Sequence, residues 1–116
     1  MESHKHNARL AATDVALWPM LGSVMKALAN PLRLRILDAL IVTEHSVGDL
    51  ASGLGIERSR VSQHLHVLRH AGLVESERVR QNVIARPTQP AMNLGRCCDK
   101  LAACIHAKTP REMEKD

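Results

Sequence analysis

The sequence contains no phenylalanine and no tyrosine, and its 116 residues include a single tryptophan. The core must therefore be built from leucine, valine, isoleucine, alanine and methionine. Proteins that bind single-stranded nucleic acid usually stack bases on aromatic rings, so this composition counts against that function and against RNA binding. No apolar run is long enough to cross a membrane, and the polar N-terminus lacks a secretory signal. These absences predict one cytoplasmic domain with no membrane partner.

Catalytic motifs are also missing. No nucleophile is framed by glycines, no glycine-rich loop suits a phosphate, and the cysteines have no base near them in sequence except His106. We therefore predict that the chain is not an enzyme and has no catalytic cofactor. The formal net charge of +4 favours a polyanionic partner instead.

The most informative stretch is Leu54–Val74, LGIERSRVSQHLHVLRHAGLV. Upstream of it, Ser46 can cap a short helix that Gly55 ends. A second helix is predicted over Arg58–His70, because apolar residues recur there at helical spacing. Those apolar residues are Val61, Leu65 and Leu68. The order of elements predicts a helix-turn-helix that runs directly into a β-strand.

The opposite face of this second helix carries short polar side chains flanked by arginines. Amides and hydroxyls at such positions can meet base edges in a major groove, while guanidinium groups meet phosphates. The alternative is an ordinary solvated face, but the capped helix before it and the hairpin after it favour DNA binding. The predicted DNA-binding residues of this helix are Arg58, Ser59, Arg60, Ser62, Gln63, His66 and Arg69.

A β-hairpin follows, with strands predicted at Leu73–Ser76 and Asn82–Arg86. Its tip holds Arg78, Arg80 and Gln81. Basic residues at a hairpin tip suit a wing that contacts DNA beside the recognition helix, although a loop of solvated charges would look similar. We predict that these three residues complete the DNA-binding set.

The rest of the chain is predicted to be helical, within a domain that covers residues 8–107. A helix over Ala8–Trp18 is expected to be interrupted or re-aimed by Pro19 and followed by another over Leu21–Ala29. Asn30 and Pro31 should start the next helix, and the last helix is expected over Ala91–Ala107. Residues 1–7 and 108–116 are predicted to be a disordered start and a disordered tail. The buried stripe expected of the Pro31 helix is Leu32, Ile36, Ala39 and Leu40.

Three segments together resemble the ArsR/SmtB family of bacterial metalloregulatory repressors: Asn30–Leu40 (NPLRLRILDAL), the short helix Ser46–Leu54 and Arg60–Val74 (RVSQHLHVLRHAGLV). The resemblance covers about Met25 to Arg86. It implies a mainly α fold with a small β-hairpin wing, a winged helix-turn-helix that forms a homodimer through its first and last helices. It also implies a repressor that occupies double-stranded operator DNA and releases it when an inducer binds. The interface candidates are Leu10, Val15, Leu17, Trp18, Leu94, Leu101 and Ile105.

All three cysteines, Cys97, Cys98 and Cys104, lie on the predicted last helix. An odd number of thiols in a cytoplasmic protein argues against a disulfide framework and leaves a soft-metal site, a redox switch or packing. On an unbroken helix Cys97 and Cys104 share a face but stand about 10 Å apart, so one ion cannot bridge them. Either the helix unwinds near Gly95, or the site is completed across the dimer.

Three thiolates suit a pyramidal trivalent metalloid, As(III) or Sb(III), better than a tetrahedral zinc ion. The CC-x5-C arrangement resembles that of an atypical class of arsenite-responsive repressors in the family. The family's common Cys-Val-Cys site is missing, because Ser46, Val47, Gly48 and Asp49 stand in its place. We therefore expect As(III) or Sb(III) as the inducer at Cys97, Cys98 and Cys104. A redox or persulfide switch, and a zinc or cadmium site that includes His106, are the alternatives.

Overall fold

The computed structural model describes residues 17–115, and the side chains of residues 17–107. The chain is mainly helical and carries a small antiparallel sheet, as the sequence predicts. The predicted start 1–7, and all but the end of the predicted helix Ala8–Trp18, lie outside the described residues. In chain order the elements are α1 (Leu17–Leu28), α2 (Pro31–Val42), β1 (His45–Ser46), α3 (Val47–Leu54), α4 (Arg58–His70), β2 (Val74–Val79), β3 (Asn82–Pro87) and α5 (Gln89–Lys115).

The predicted helix starts are confirmed in α2 and α3. The Oδ1 atom of Asn30 accepts hydrogen bonds from the backbone N–H groups of Leu32 (2.9 Å) and Arg33 (3.2 Å), and Pro31 opens α2. The Ser46 hydroxyl accepts a bond from the N–H of Asp49 at 3.0 Å at the start of α3. Each cap satisfies donors that a helix cannot satisfy internally.

The core lies where α2, α3 and α4 meet the sheet. Its largest fully buried side chains are Ile36, Leu40, Val61 and Leu68. The predicted stripe of α4 is confirmed, since Val61, Leu65 and Leu68 are all buried. In α2 the prediction is partly wrong: Leu37 is buried while Leu32 and Ala39 are only half-buried. The reason is that α2 packs against α5 and also against α4 and β3, so its buried stripe is wider than one periodic face.

The sheet has three strands in the order β1-β3-β2, all antiparallel. The wing is the hairpin of β2 and β3, in which Val79 pairs with Asn82 across a two-residue turn. Strand β1 was not predicted, because a two-residue strand has no periodicity to detect. The prediction that Arg78 lies at the tip is wrong: Arg78 lies within β2 opposite Val83, and only Arg80 and Gln81 form the turn. The ladder extends further than expected because β2 continues to Val79.

Two further helix boundaries differ from the prediction. Helix α1 is continuous from Leu17 to Leu28, so the predicted interruption at Pro19 is wrong. Helix α5 runs to Lys115, well past the predicted end at Ala107 and through most of the predicted tail 108–116. Good helix formers around Glu112 and Glu114 favour this extension.

Helices α2 and α5 touch closely at Gly95. A Cβ atom at this position would lie 2.5 Å from Cδ1 of Ile41, closer than two carbon atoms can approach without movement. Glycine therefore lets the two helices pack side by side without a bulge. The helix is not unwound here, so all three cysteines lie on one continuous helix. Among residues 17–115, no helix combines the length and the apolar character needed to span a membrane.

Candidate nucleic-acid interface and thiol helix

The predicted DNA-binding residues of α4 are all exposed: Arg58, Ser59, Arg60, Ser62, Gln63, His66 and Arg69. The buried stripe of Val61, Leu65 and Leu68 holds the helix in place from the other side. Each polar side chain thus projects from a rigid helix instead of from a loop, which is the arrangement that base readout requires.

The α4 helix and the wing share one groove of about 620 Å³. Ser62, Gln63 and His66 line it from α4, and Ser76 and Val83 line it from the wing. We call this surface the reading groove. Ser76 and Val83 were not predicted as part of a site, since strand alternation alone does not show which face of the hairpin turns toward α4.

Arg69 joins the two walls of the reading groove. Its guanidinium donates to the Ser76 hydroxyl at 3.5 Å and lies 3.3 Å from Nδ1 of His66. The His66 ring also packs edge-on against His70, with ring centroids 4.3 Å apart. Arg69 is therefore oriented before any ligand arrives, which lowers the entropic cost of a contact made there.

Arg58 is held at the other end of α4 by α3. Its Nη2 atom lies 3.0 Å from the position that a Cβ atom would occupy at Gly48, so the guanidinium rests over glycine backbone. A larger residue at Gly48 would displace it. Arg58 and Arg60 border a second concave surface between α3 and α4. Two cations therefore lie in the first turn of α4, next to the turn that joins it to α3.

His64 lies on α4 but away from the reading groove, and it is half-buried. Its pKa lies below the usual value, first because burial disfavours the charged ring and then because Arg33 and Arg60 repel a proton. The neutral form of the His64 imidazole is therefore favoured.

The wing is tied to the body of the protein by Arg86. This side chain bonds to Glu44 at 2.6 Å and to Glu77 at 2.7 Å, and these hydrogen bonds with the two carboxylates raise its pKa. The contacts link β3 to β2 and to the segment before β1. At the tip, Arg80 has a positive φ of 60° and projects into solvent with Gln81. Arg78, also exposed, lies on the neighbouring strand.

The three thiols lie on the last helix, α5, as the sequence predicts, and there they are free and exposed. They do not share one environment. Cys98 lines an apolar groove between α2 and α5 together with Leu37, Leu94 and Leu101, whereas Cys97 and Cys104 are outside that groove. Within the described residues, no three His, Cys, Asp or Glu side chains come together as a metal site.

A comparison with protein families matches residues 30–76 to the model of the arsR family of bacterial regulatory proteins. The chain spans about half the length of the curated relatives it matches: two HTH-type transcriptional regulators of Mycobacterium tuberculosis are 44% identical over 63 residues, or 53% of this chain and 55% of theirs. A biofilm growth-associated repressor of Xylella fastidiosa is 37% identical over 67 residues, or 58% of this chain and 59% of its own.

Solved structures match more of the chain. HlyU from Vibrio cholerae has a TM-score of 0.70 and 32% identity, and the match covers 76% of this chain and 97% of HlyU. A reduced form of HlyU is also similar. The homodimeric winged helix-turn-helix DNA-binding domain of Mycobacterium bovis Mb0332 has a TM-score of 0.73 and 31% identity, with coverage of 79% of this chain and 86% of that domain.

Proposed function

Since this chain belongs to the arsR family of bacterial regulatory proteins, we propose that it is a homodimeric repressor that binds double-stranded operator DNA and releases it in response to a thiol-reactive inducer. The family is one of transcriptional regulators and not of enzymes. The observation that carries the DNA-binding part is the reading groove, where exposed polar residues of α4 face the wing. Repression is the direction of regulation named for the Xylella relative.

The homodimer is supported by apolar side chains exposed on the two outer helices. Trp18 and Met20 on α1, and Leu101 on α5, are each about three-fifths exposed, at 59%, 59% and 62%. Exposed apolar surface of this kind is usually covered by a partner. A two-fold dimer would present two recognition helices to successive major grooves, which a domain of this size needs for specificity. The Mb0332 domain is itself described as homodimeric.

The inducer site is proposed to lie between the two α5 helices. Because α5 is unbroken, Cys97 and Cys104 of one chain are about 10 Å apart along the helix axis. If two α5 helices cross antiparallel near Lys100 and Leu101, Cys97 faces Cys104 of the partner subunit. Thiolates from both chains would then surround one ligand, and Cys98 would be the third donor once its side chain turned away from the groove between α2 and α5.

A trivalent metalloid is the inducer that this donor set fits best. As(III) or Sb(III) takes three sulfur ligands in a pyramid, and each thiol loses its proton on binding. Zinc or cadmium would need a fourth ligand, for which His106 is the sequence candidate. Because ligand binding between the helices would change the angle between subunits, a coupling of about 1–3 kcal/mol would weaken operator binding roughly 5- to 150-fold.

A redox switch is the second candidate, and the exposure of all three thiols favours it. In this version, a peroxide or polysulfide removes two electrons in total from the thiols of Cys97 and of Cys104 of the partner subunit, which join in a disulfide. The O–O or S–S bond of the oxidant breaks, and the oxidant takes up the two electrons and the two thiol protons to give water, or hydrogen sulfide and a shortened polysulfide. The similarity to a reduced form of HlyU adds to the case for this alternative.

The deciding experiment is an anisotropy titration of the reduced protein on its own upstream promoter DNA. Arsenite, antimonite, zinc, cadmium, peroxide and polysulfide are added in parallel to the wild type and to a Cys97→Ser/Cys98→Ser/Cys104→Ser variant. Release by the trivalent metalloids alone, lost in the variant, supports the metalloid sensor. Release by oxidant alone, reversed by a reductant, supports the redox switch. Release by zinc or cadmium alone, or by nothing, contradicts both versions.

A further inference from the structure

A third concave surface borders α4 next to the reading groove. It is a cleft of about 470 Å³ where α1 and α2 meet the C-terminal half of α4. Its lining includes Ser23, Lys26, Arg33, His66, Val67 and His70. We call it the α1–α2–α4 cleft. His66 lines both the cleft and the reading groove, so the two surfaces are continuous along the helix.

The chemistry of the cleft is that of an anion site. Lys26 and Arg33 bring two positive charges, the imidazoles of His66 and His70 add N–H donors, and no lining residue is acidic. Among the side chains of residues 17–107, no carboxylate forms an ion pair with Lys26 or Arg33. Their charges are therefore not neutralised by the protein, unlike the charge of Arg86 in the wing.

Arg33 is held in position before a ligand arrives. Its Nε atom donates to the backbone carbonyl oxygen of Ala27 at 2.6 Å, which pins the guanidinium across the junction of α1 and α2. Since this bond uses only Nε, both terminal nitrogens keep their donors for another acceptor. The N-terminal N–H groups of α2 are already bonded to Asn30, so any anion here would be held by side chains and not by the helix end.

We infer that the α1–α2–α4 cleft binds a backbone phosphate of the operator, outside the helix-turn-helix and the wing. The inference rests on the proposed function. Duplex DNA carries one phosphate per about 1.7 Å of axis. A DNA strand that runs along the reading groove would therefore bring phosphates to the α1–α2–α4 cleft, which continues the groove at His66. Unpaired cations there would meet that strand. Such a contact would fix the register of α4 without reading sequence.

Lys26→Ala is the cleaner test, because within the described residues the Lys26 side chain forms no hydrogen bond or ion pair, whereas Arg33 also bonds to Ala27. Arg96→Ala is the matched control, an exposed cation on α5 outside the cleft. Binding to operator and to random duplex is measured across salt concentrations. We expect Lys26→Ala to weaken both complexes roughly tenfold and to reduce the slope of log K against log salt by about 0.9. Arg96→Ala should change neither.

Ethylation interference on the operator locates the contact. Wild type and Arg96→Ala should show interference at a phosphate beside each half-site that Lys26→Ala no longer shows. Arg33→Lys, which keeps the charge but loses the fixed guanidinium, should weaken this interference and still fold.

The outcomes separate the two claims. If the wild type shows no preference for its operator, the proposed function fails. If it does, but Lys26→Ala and Arg33→Lys bind with unchanged affinity, salt slope and ethylation pattern, only the cleft inference is overturned. Binding of inorganic phosphate to wild type and not to Lys26→Ala, with DNA binding equal in both, would show a small-anion site and would also overturn it.

Discussion

Gln63 lies at the centre of the reading groove, with Ser62 before it and His66 one turn later. Its amide can donate and accept at once, as an adenine edge requires. We expect Gln63→Ala to cost about 1–3 kcal/mol on operator DNA and little on random DNA. Competition anisotropy with both duplexes checks this. Equal losses on both would remove Gln63 from the base-reading set.

Arg80 combines a charge with an unfavourable backbone conformation, because its φ of 60° is one that glycine adopts more easily. Arg80→Gly should therefore leave the thermal midpoint unchanged or slightly higher while it weakens all DNA complexes alike. The salt slope should fall by about 0.9 for one lost phosphate contact. Thermal denaturation and salt-dependent anisotropy measure the two effects. A loss confined to the operator would contradict a phosphate role for this residue.

His64 gives a prediction for pH. Its pKa is lowered by burial first, and by the charges of Arg33 and Arg60 second. The unfolded chain therefore binds more protons than the native protein just below pH 6.5, so the free energy of unfolding decreases as the pH falls through that region. Arg60→Gln should move the pKa of His64 back upward. A titration of the imidazole by NMR, in wild type and variant, tests the direction; a downward shift would contradict this assignment.

At the scale of elements, the contact between α2 and α5 rests on Gly95 and Ile41. A Cβ at residue 95 would collide with the Cδ1 methyl of Ile41, and Ile41→Val deletes that methyl. Gly95→Ala alone trades overpacking against a better helix propensity of about 1 kcal/mol. We expect the free energy of unfolding of the double variant to exceed the value obtained by adding the two single effects by about 1 kcal/mol. Urea unfolding of all four proteins measures this coupling, and simple additivity would contradict the contact.

How far the elements follow from sequence depends on where their determinants lie. The bounds of α4 were predicted because a glycine-ended helix precedes it and its apolar residues repeat at helical spacing. The caps of α2 and α3 are also local, and so they were predictable. Strand β1 and the burial of Leu37 depend on partners distant in sequence, β3 and the helices around α2, and no local pattern shows them.

The candidate site shows the same division. That the α4 residues are exposed follows from the position of the buried stripe on the same helix. Cys98 lines an apolar groove, whereas Cys97 and Cys104 do not. This difference depends on how α5 lies against α2, which no local sequence pattern shows. The proximity of Lys26 and Arg33 to His70 is tertiary as well, because three helices supply the lining of the cleft.

At the scale of the whole molecule, one face of the winged domain offers amides, hydroxyls and guanidinium groups, while α1 and α5 expose apolar side chains such as Trp18 and Leu101. Under the proposed function, DNA would meet the first set of side chains and a second subunit would cover the second. The thiols lie on α5, which belongs to the second set. A ligand bound there would therefore act on DNA binding through the arrangement of the two subunits.

Hydroxyl-radical footprinting of the reduced protein on its upstream promoter measures whether two such domains read one operator together. We expect two protected segments on the same side of the duplex, centred about 10–10.5 base pairs, or a multiple of that, apart. Both should appear at the same protein concentration. A single protected segment, or uniform protection without preferred positions, would contradict this expectation.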